Sequence, residues 1–255
     1  MRIRTEQMQA FEEAAKRQFD EEMVAHSKNF APPLCEVIGD EQLRLALRSA
    51  MSRADSYGFT NRGPVRLFIE MMFLCGSDFD TDPQYPALGQ ILRSEDDQMD
   101  RAEQIHKGFI DYLEKVSGPE ASNVHKALRE LLTFTRTPLT ISRDDVVGGL
   151  LREMNRIFPQ RVKYVGEAAL TTLIRQGQAE ARSYGFTTVR EEVLIVVLKF
   201  AFGHGCTDDP LYPWISRTLK DERLADPAAK SARLEKRAIT WLEHVVARNE
   251  RGPNA

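Results

Sequence analysis

The chain has 255 residues, 42% hydrophobic and 29% charged, with a formal net charge of −3. That length buries a real core in one large domain or two small ones, and the composition is that of an ordinary soluble globular protein. The mildly acidic balance, with Arg and Lys interspersed among Glu and Asp, excludes the basic footprint expected of a nucleic-acid binder.

The first segment, MRIRTEQMQAFEEAAKRQF, is charged and amphipathic, without the apolar h-region or small-residue cleavage site of an export signal. Leu43, Leu47, Ala50 and Ala54 follow at helical spacing. In SYGFT, Gly58 is expected to end that helix with a left-handed φ, and the Phe after it to close the end against the core. Asn61 is placed to cap the next helix and Gly76 to stop it. That helix carries Phe68, Met71, Met72 and Phe73, read as core rather than as an adaptable partner surface.

Next comes GSDFDTDPQYP (76–86), with carboxylates alternating at Asp78, Asp80 and Asp82. Further on, GPEASNVHKALRELLTFTRTP (118–138) reads as a short amphipathic linking helix between Gly-Pro and Pro138. In the remaining part, Leu170, Ile174, Gly177 and Ala181 resume the helical period, and Gly148-Gly149 inside a helical pattern marks close packing. Thr188 with Glu191 forms a capping box, and Gly203 is a second helix stop. The longest apolar run, VLIVVLKFAFG from Val193, is interrupted by Lys199 and is too short to span a bilayer. GHGCTDDPLYPW (203–214) then repeats the theme of 76–86.

The chain matches itself. From Gly39 to Leu92 it aligns without a gap onto Gly166 to Leu219, with 17 of 54 positions identical. A small shift extends the match to FIDYLEKV (109–116) and AITWLEHV (238–245). No stretch alternates apolar and polar residues long enough for a strand. The expected fold is therefore all-α, with two tandem pseudo-repeats of about five helices each, at 1–117 and 139–255, joined by a linker helix at 118–138.

The second copy tests the aspartates of the first. Counterparts of Asp78, Asp80 and Asp82 are Gly205, Thr207 and Asp209, so one carboxylate of three is kept. A calcium loop also needs Gly and a bidentate Glu where this chain has Pro83 and Gly89. What both copies keep is Asp-Pro-x-Tyr-Pro, which suits a helix start: Asp as N-cap, Pro at the first helical position, and Tyr85 or Tyr212 turned back onto the preceding helix. His204, Cys206, Asp208 and Asp209 cluster in sequence without the paired spacing of a zinc site. His26, His106, His125 and His244 read as solvated or half-buried helix residues. Pairs such as Glu191/Glu192 read as helix surface, and Asp96/Asp97 as a connecting loop. No nucleophile elbow, phosphate loop, HExxH or dinucleotide fingerprint is present. Cys35, Cys75 and Cys206, an odd number without paired spacing, point to reduced thiols and a cytoplasmic location.

GSDFDTDPQYP, with SYGFT upstream and MRIRTEQM at the start, resembles a group of small helical bacterial proteins. Those carry a GxDFDTDPxYP(W) motif and are encoded beside toxic effectors of type VI secretion systems and related polymorphic toxins. Residues 1–116 carry the closer likeness. The second half keeps Asp209, Pro210, Tyr212, Pro213 and Trp214 but loses the first two aspartates, and Ala87 stands where the first half would need Trp. The resemblance implies a non-enzymatic accessory protein that holds a cognate toxin in the cytoplasm, as an adaptor or chaperone for delivery. An immunity protein that neutralises the toxin is the alternative, and a metal-assisted enzyme at the Asp-rich loop a third reading. The expected partners are the effector and spike components, with no nucleic acid, membrane, metal or cofactor. Expected contact residues are Asp78, Asp80, Asp82, Tyr85, His204, Asp208, Asp209, Tyr212 and Trp214, because connecting loops diverge while cores stay alike.

Overall fold

A computed structural model describes residues 5–251. The charged start read against an export signal includes residues 1–4, which lie outside the described residues. All regular structure among the described residues is helical. Helices α1 (Thr5–Phe30), α2 (Pro32–Ser56), α3 (Arg62–Cys75), α4 (Pro86–Leu92) and α5 (Gln98–Tyr112) form the first part, α5 running on into a π-helical turn at Leu113–Ser117. Helix α6 (Ser122–Arg136) is the amphipathic segment expected between the halves. The rest comprises α7 (Val146–Ile157), α8 (Pro159–Val165), α9 (Glu167–Ser183), α10 (Val189–Phe202), α11 (Pro213–Leu219) and α12 (Pro227–Arg251).

The apolar periodicity explains the packing. Leu43, Leu47, Ala50 and Ala54 are buried on α2, as are Leu170, Ile174, Gly177 and Ala181 on α9. Phe68, Met71, Met72 and Phe73 are core residues of α3. One continuous apolar cluster runs from Met23 to Leu211 and draws on elements either side of α6. A smaller one gathers around Phe202, with Trp241 and Trp214 packed edge-on to its ring. Gly149 allows α7 to approach Ile141, whose Cγ2 lies 2.8 Å from where a Cβ would sit.

Matching backbone features stand at one constant spacing. Helix α2 breaks at Gly39 (φ 78°), and α8 gives way to α9 at Gly166 (φ 85°). Gly58 and Gly185 take φ of 71° and 78°, and Gly76 and Gly203 close α3 and α10 with φ of 96° and 98°. Helices α4 and α11 both begin at a Pro preceded by a Tyr of nearly identical φ and ψ. The correspondence reaches back to Pro32 and Pro159, each opening a helix upstream of the stretch aligned from sequence.

Several local expectations need correction. Asn61 sits at the N-cap of α3 without a side-chain bond to it. Gln98 instead ties the chain just before the helix, its Oε1 accepting from the N–H of Thr60 and Asn61 at 2.9 Å. Glu191 and Glu192 are buried rather than surface residues. The Glu191 carboxylate completes the capping box with Thr188 and also accepts from Ser231. Glu192 accepts from Gln178 and Arg182. Asp97, read as a loop residue, caps α5 by accepting from Met99 N–H.

Candidate functional site

The two Asp-Pro-x-Tyr-Pro loops meet face to face, and their glycines make the meeting possible. A Cβ on Gly76 would lie 2.5 Å from the Phe202 carbonyl oxygen, and one on Gly203 would lie 2.8 Å from that of Cys75. The two helix ends therefore abut backbone to backbone. Both glycines also have positive φ, which disfavours any larger residue a second time.

Across this contact the retained aspartates are exchanged. Asp82 accepts from the backbone N–H of His204 at 2.7 Å, and Asp209 accepts from the backbone N–H of Ser77 at 2.8 Å. Each donor is the residue just after the opposite glycine. Each aspartate also closes a turn in its own loop, Asp82 accepting from Gln84 N–H and Asp209 from Leu211 N–H, both at 2.8 Å. The Ser77 hydroxyl adds a bond to Asp209 at 2.6 Å, and Gln84 bridges from Asp82 to the Lys199 carbonyl. Both carboxylates are 2% exposed, and every acceptor bond they make offsets burial of a charge. Burial still outweighs the Ser77 and Leu211 bonds at Asp209 and raises its carboxyl above the usual range.

These aspartates are not N-caps. The caps of α4 and α11 are Tyr85 and Tyr212, and the helices start at Pro86 and Pro213, three residues later than the motif suggests. The sequence carries a turn followed by a helix, and the Asp side chain serves the turn and the facing loop together.

Around this centre the two loops are anchored by opposite means. In the first, Arg53 of α2 pairs with Asp78 and Asp80, and Asp80 also accepts from the Tyr57 hydroxyl at 2.7 Å. In the second, the residue aligned with Arg53 is Glu180 of α9. Glu180 accepts from the Thr207 hydroxyl and pairs with Lys199, which is aligned with Met72 and also donates to the His204 carbonyl. Cation on helix and carboxylate on loop become carboxylate on helix and hydroxyl on loop. This is why the alternating aspartates of the first loop have no counterparts: they answer Arg53.

Asp78 stands against Gly205, where any Cβ would collide with its carboxylate. The His204 ring meets the Thr81 hydroxyl at 3.0 Å. Burial holds His204 below its ordinary range, with the Lys199 charge adding to that and Asp82 opposing it. Tyr85 is buried, its hydroxyl accepting from Arg161 at 3.0 Å, and Tyr212 lies on Phe202 of the preceding helix at 4.5 Å. Both tyrosines do turn back into the core as their motif suggests. Cys206 is buried with its thiol pushed above its ordinary range, and burial raises the Cys75 thiol to about 12, so neither is a thiolate at neutral pH.

The nine expected contact residues thus separate into two sets. Asp80, Asp82, Tyr85 and Asp209 are buried and engaged inside the molecule, so they offer no contact surface. Asp78, His204, Tyr212 and Trp214 are half-buried, and Asp208 is exposed and paired with Lys220. Among the described residues no group of three His, Cys, Asp or Glu side chains is arranged to hold a metal ion. Arg53, Glu180 and Lys199, which organise the loops, were missed from sequence. Their signal was available as a charge reversal between the aligned Arg53 and Glu180 and as a new charge where Lys199 aligns with Met72.

Another exposed feature lies away from the loops. From Met8 to Gln18, every described side chain of α1 is exposed, including Met8 at 53% and Phe11 at 68%. Only from Phe19 onward does α1 settle on the core, with Arg62 over the Phe19 ring and Met23 and Val24 buried. No helix among the described residues is long and apolar enough to cross a membrane. Compared with protein-family models, curated proteins and solved structures, the chain has no match in any of the three.

Proposed function

We propose that this chain is a non-catalytic binding protein that holds a cognate toxic effector of a type VI secretion system in the cytoplasm, as an adaptor or chaperone. The observation that carries the binding role is the run of exposed side chains described on α1 between Met8 and Gln18. A helical stretch whose described side chains, Met8 and Phe11 among them, are all exposed gains little from propensity alone, and a partner's groove would supply burial for them. The resemblance of GSDFDTDPQYP to proteins encoded beside such effectors supplies the identity of the partner.

The fold on this reading is a duplicated helical unit. Support comes from the glycines and prolines that recur at constant spacing and from the reciprocal bonds of Asp82 and Asp209. A duplication of this kind spends its shared motif on joining the copies, which leaves the outer surfaces free to differ. The rim of the loops, with His204, Asp208 and Trp214, would then be an auxiliary contact and α1 the principal one. Three free cysteines, all buried, are in keeping with a reducing compartment.

The test is affinity capture of the tagged chain from its own cells, with mass spectrometry of what it retains. An effector recovered together with spike components supports delivery. An effector recovered alone, and inactive while bound, replaces the adaptor reading with an immunity protein. Recovery of no effector removes both.

A further inference from the structure

Arg161, on α8, is 8% exposed and has no carboxylate within ion-pair distance among the described residues, the buried Asp82 acting on its charge from farther off. Its Nη2 donates to the Tyr85 hydroxyl at 3.0 Å, while its buried Nε has no hydrogen-bond partner. It forms no ion pair among the described residues, and its guanidinium lies over the Phe200 ring at 4.7 Å. Arg161 keeps its proton at any accessible pH, so it cannot escape the interior by neutralising. A permanent buried cation with a free donor wants an anion.

Beside it is a place for one. Arg161 and Phe200 line a cavity of about 200 Å³ between α6, α7, α10 and α12, walled by Leu131, Phe134, Met154, Val197 and Trp241. The other charged groups on its lining are already matched: Arg190 with Glu235, and Glu153 with Arg156. Apolar cavities of roughly 150 Å³ stay dry and take up a benzene-sized molecule, so a short alkyl chain fits this volume. Helix α6 supplies one wall through the buried Ala127 and through half-buried side chains, Leu131 and Phe134 among them, which give a route in from its edge.

We infer that this cavity binds a small monocarboxylate with an apolar tail, the carboxylate on Arg161 and the chain along Met154, Val197 and Trp241. The anion would meet the guanidinium where Arg161 lines the cavity, in a charge-assisted bond, and the tail would lie along the apolar lining. The inference stands on the cavity and does not depend on the effector-binding reading.

Isothermal titration of the full chain with octanoate, and separately with 1-octanol, tests it. Octanoate should saturate at one site and bind roughly tenfold to a hundredfold more tightly than octanol, the range expected for one hydrogen bond to a charged group. Arg161→Met, which keeps the apolar stem, should reduce octanoate at least to the affinity of octanol, because an unpaired carboxylate is costlier to bury than a hydroxyl, and change octanol binding by a few fold at most. The two ligands on the unaltered protein decide the matter should that variant fail to fold. Equal affinity for both, or no saturable octanoate binding, would overturn the proposal.

Discussion

Asp82 and Asp209 each accept the backbone N–H that follows the other's glycine, at 2.7 and 2.8 Å. The two bonds are the same contact made in both directions. They tie α3 and its loop to α10 and its loop where the backbones touch, and they do so with carboxylates that have no access to water. A residue pair so placed holds the two loops together, and it gives the Asp of both Asp-Pro-x-Tyr-Pro stretches the same structural task.

Replacing either aspartate should therefore cost stability in similar measure. Asp209→Asn places an amide N–H against a backbone N–H and strands a buried donor, a loss of about 2–4 kcal/mol. Asp82→Asn should behave alike, because its partner at His204 is equivalent. Urea unfolding measures both. A loss under about 0.5 kcal/mol, the scale of ordinary surface changes, would contradict the assignment.

The glycines give a graded comparison. Gly76→Ala combines positive φ with a collision against the Phe202 carbonyl, whereas Gly39 has positive φ and open space around it. Gly39→Ala should cost about 1 kcal/mol from backbone strain alone, and Gly76→Ala about 3 kcal/mol or more. Thermal or chemical unfolding of the two variants side by side checks the ranking, and equal losses would mean the backbones do not abut.

Lys199 is 4% exposed and held by Glu180 and the His204 carbonyl. Lys199→Met, which installs the residue found at the aligned position of α3, removes the charge and leaves Glu180 unpaired. Breaking one partner of such a pair costs about 3 kcal/mol, and Lys199→Met with Glu180→Gln should recover more than half of it, since no unpaired charge then remains. A double-mutant cycle in urea reads the coupling directly.

His204 should imprint a pH dependence on stability. Burial depresses its folded-state pKa below the unfolded value of 6.5, so the unfolded chain takes up the proton first. Stability from the neutral ring is present above 6.5 and falls as pH drops below it, until the folded state protonates too. Asp209 works oppositely at lower pH: its raised folded pKa makes the native state the better proton binder, so stability is regained as pH falls through that value toward 3.8. His204→Ser, matching Ser77, should flatten the wild-type slope between neutrality and mild acid. Parallel slopes in variant and wild type would show that the ring does not titrate as described.

Much of this was readable from sequence for physical reasons that differ by element. The helices were legible because buried positions such as Leu43 and Leu170 recur at helical spacing, and the helix ends because Gly58, Gly76, Gly185 and Gly203 have few alternatives at positive φ. Asp82 and Asp209 were misread because Asp before Pro suits a cap, and local chemistry cannot tell a cap from a turn whose carboxylate reaches across the molecule. The burial of Glu191 and Glu192 was hidden for the same reason: a carboxylate looks like surface until Ser231, Gln178 and Arg182 are seen around it. Arg161 carried no signal at all, being one basic residue in the ordinary helix PQRVKYV.

The most direct test of the central claim is capture from native cells by three versions of the chain: unaltered, Met8→Ser with Phe11→Ser, and Asp208→Ala with Trp214→Ala. The unaltered chain should retain a toxic effector in stoichiometric amount, the α1 variant should lose it while unfolding at the same urea concentration, and the loop-rim variant should weaken it less. Retention undiminished by the α1 variant, or no effector bound by any version, would contradict that claim.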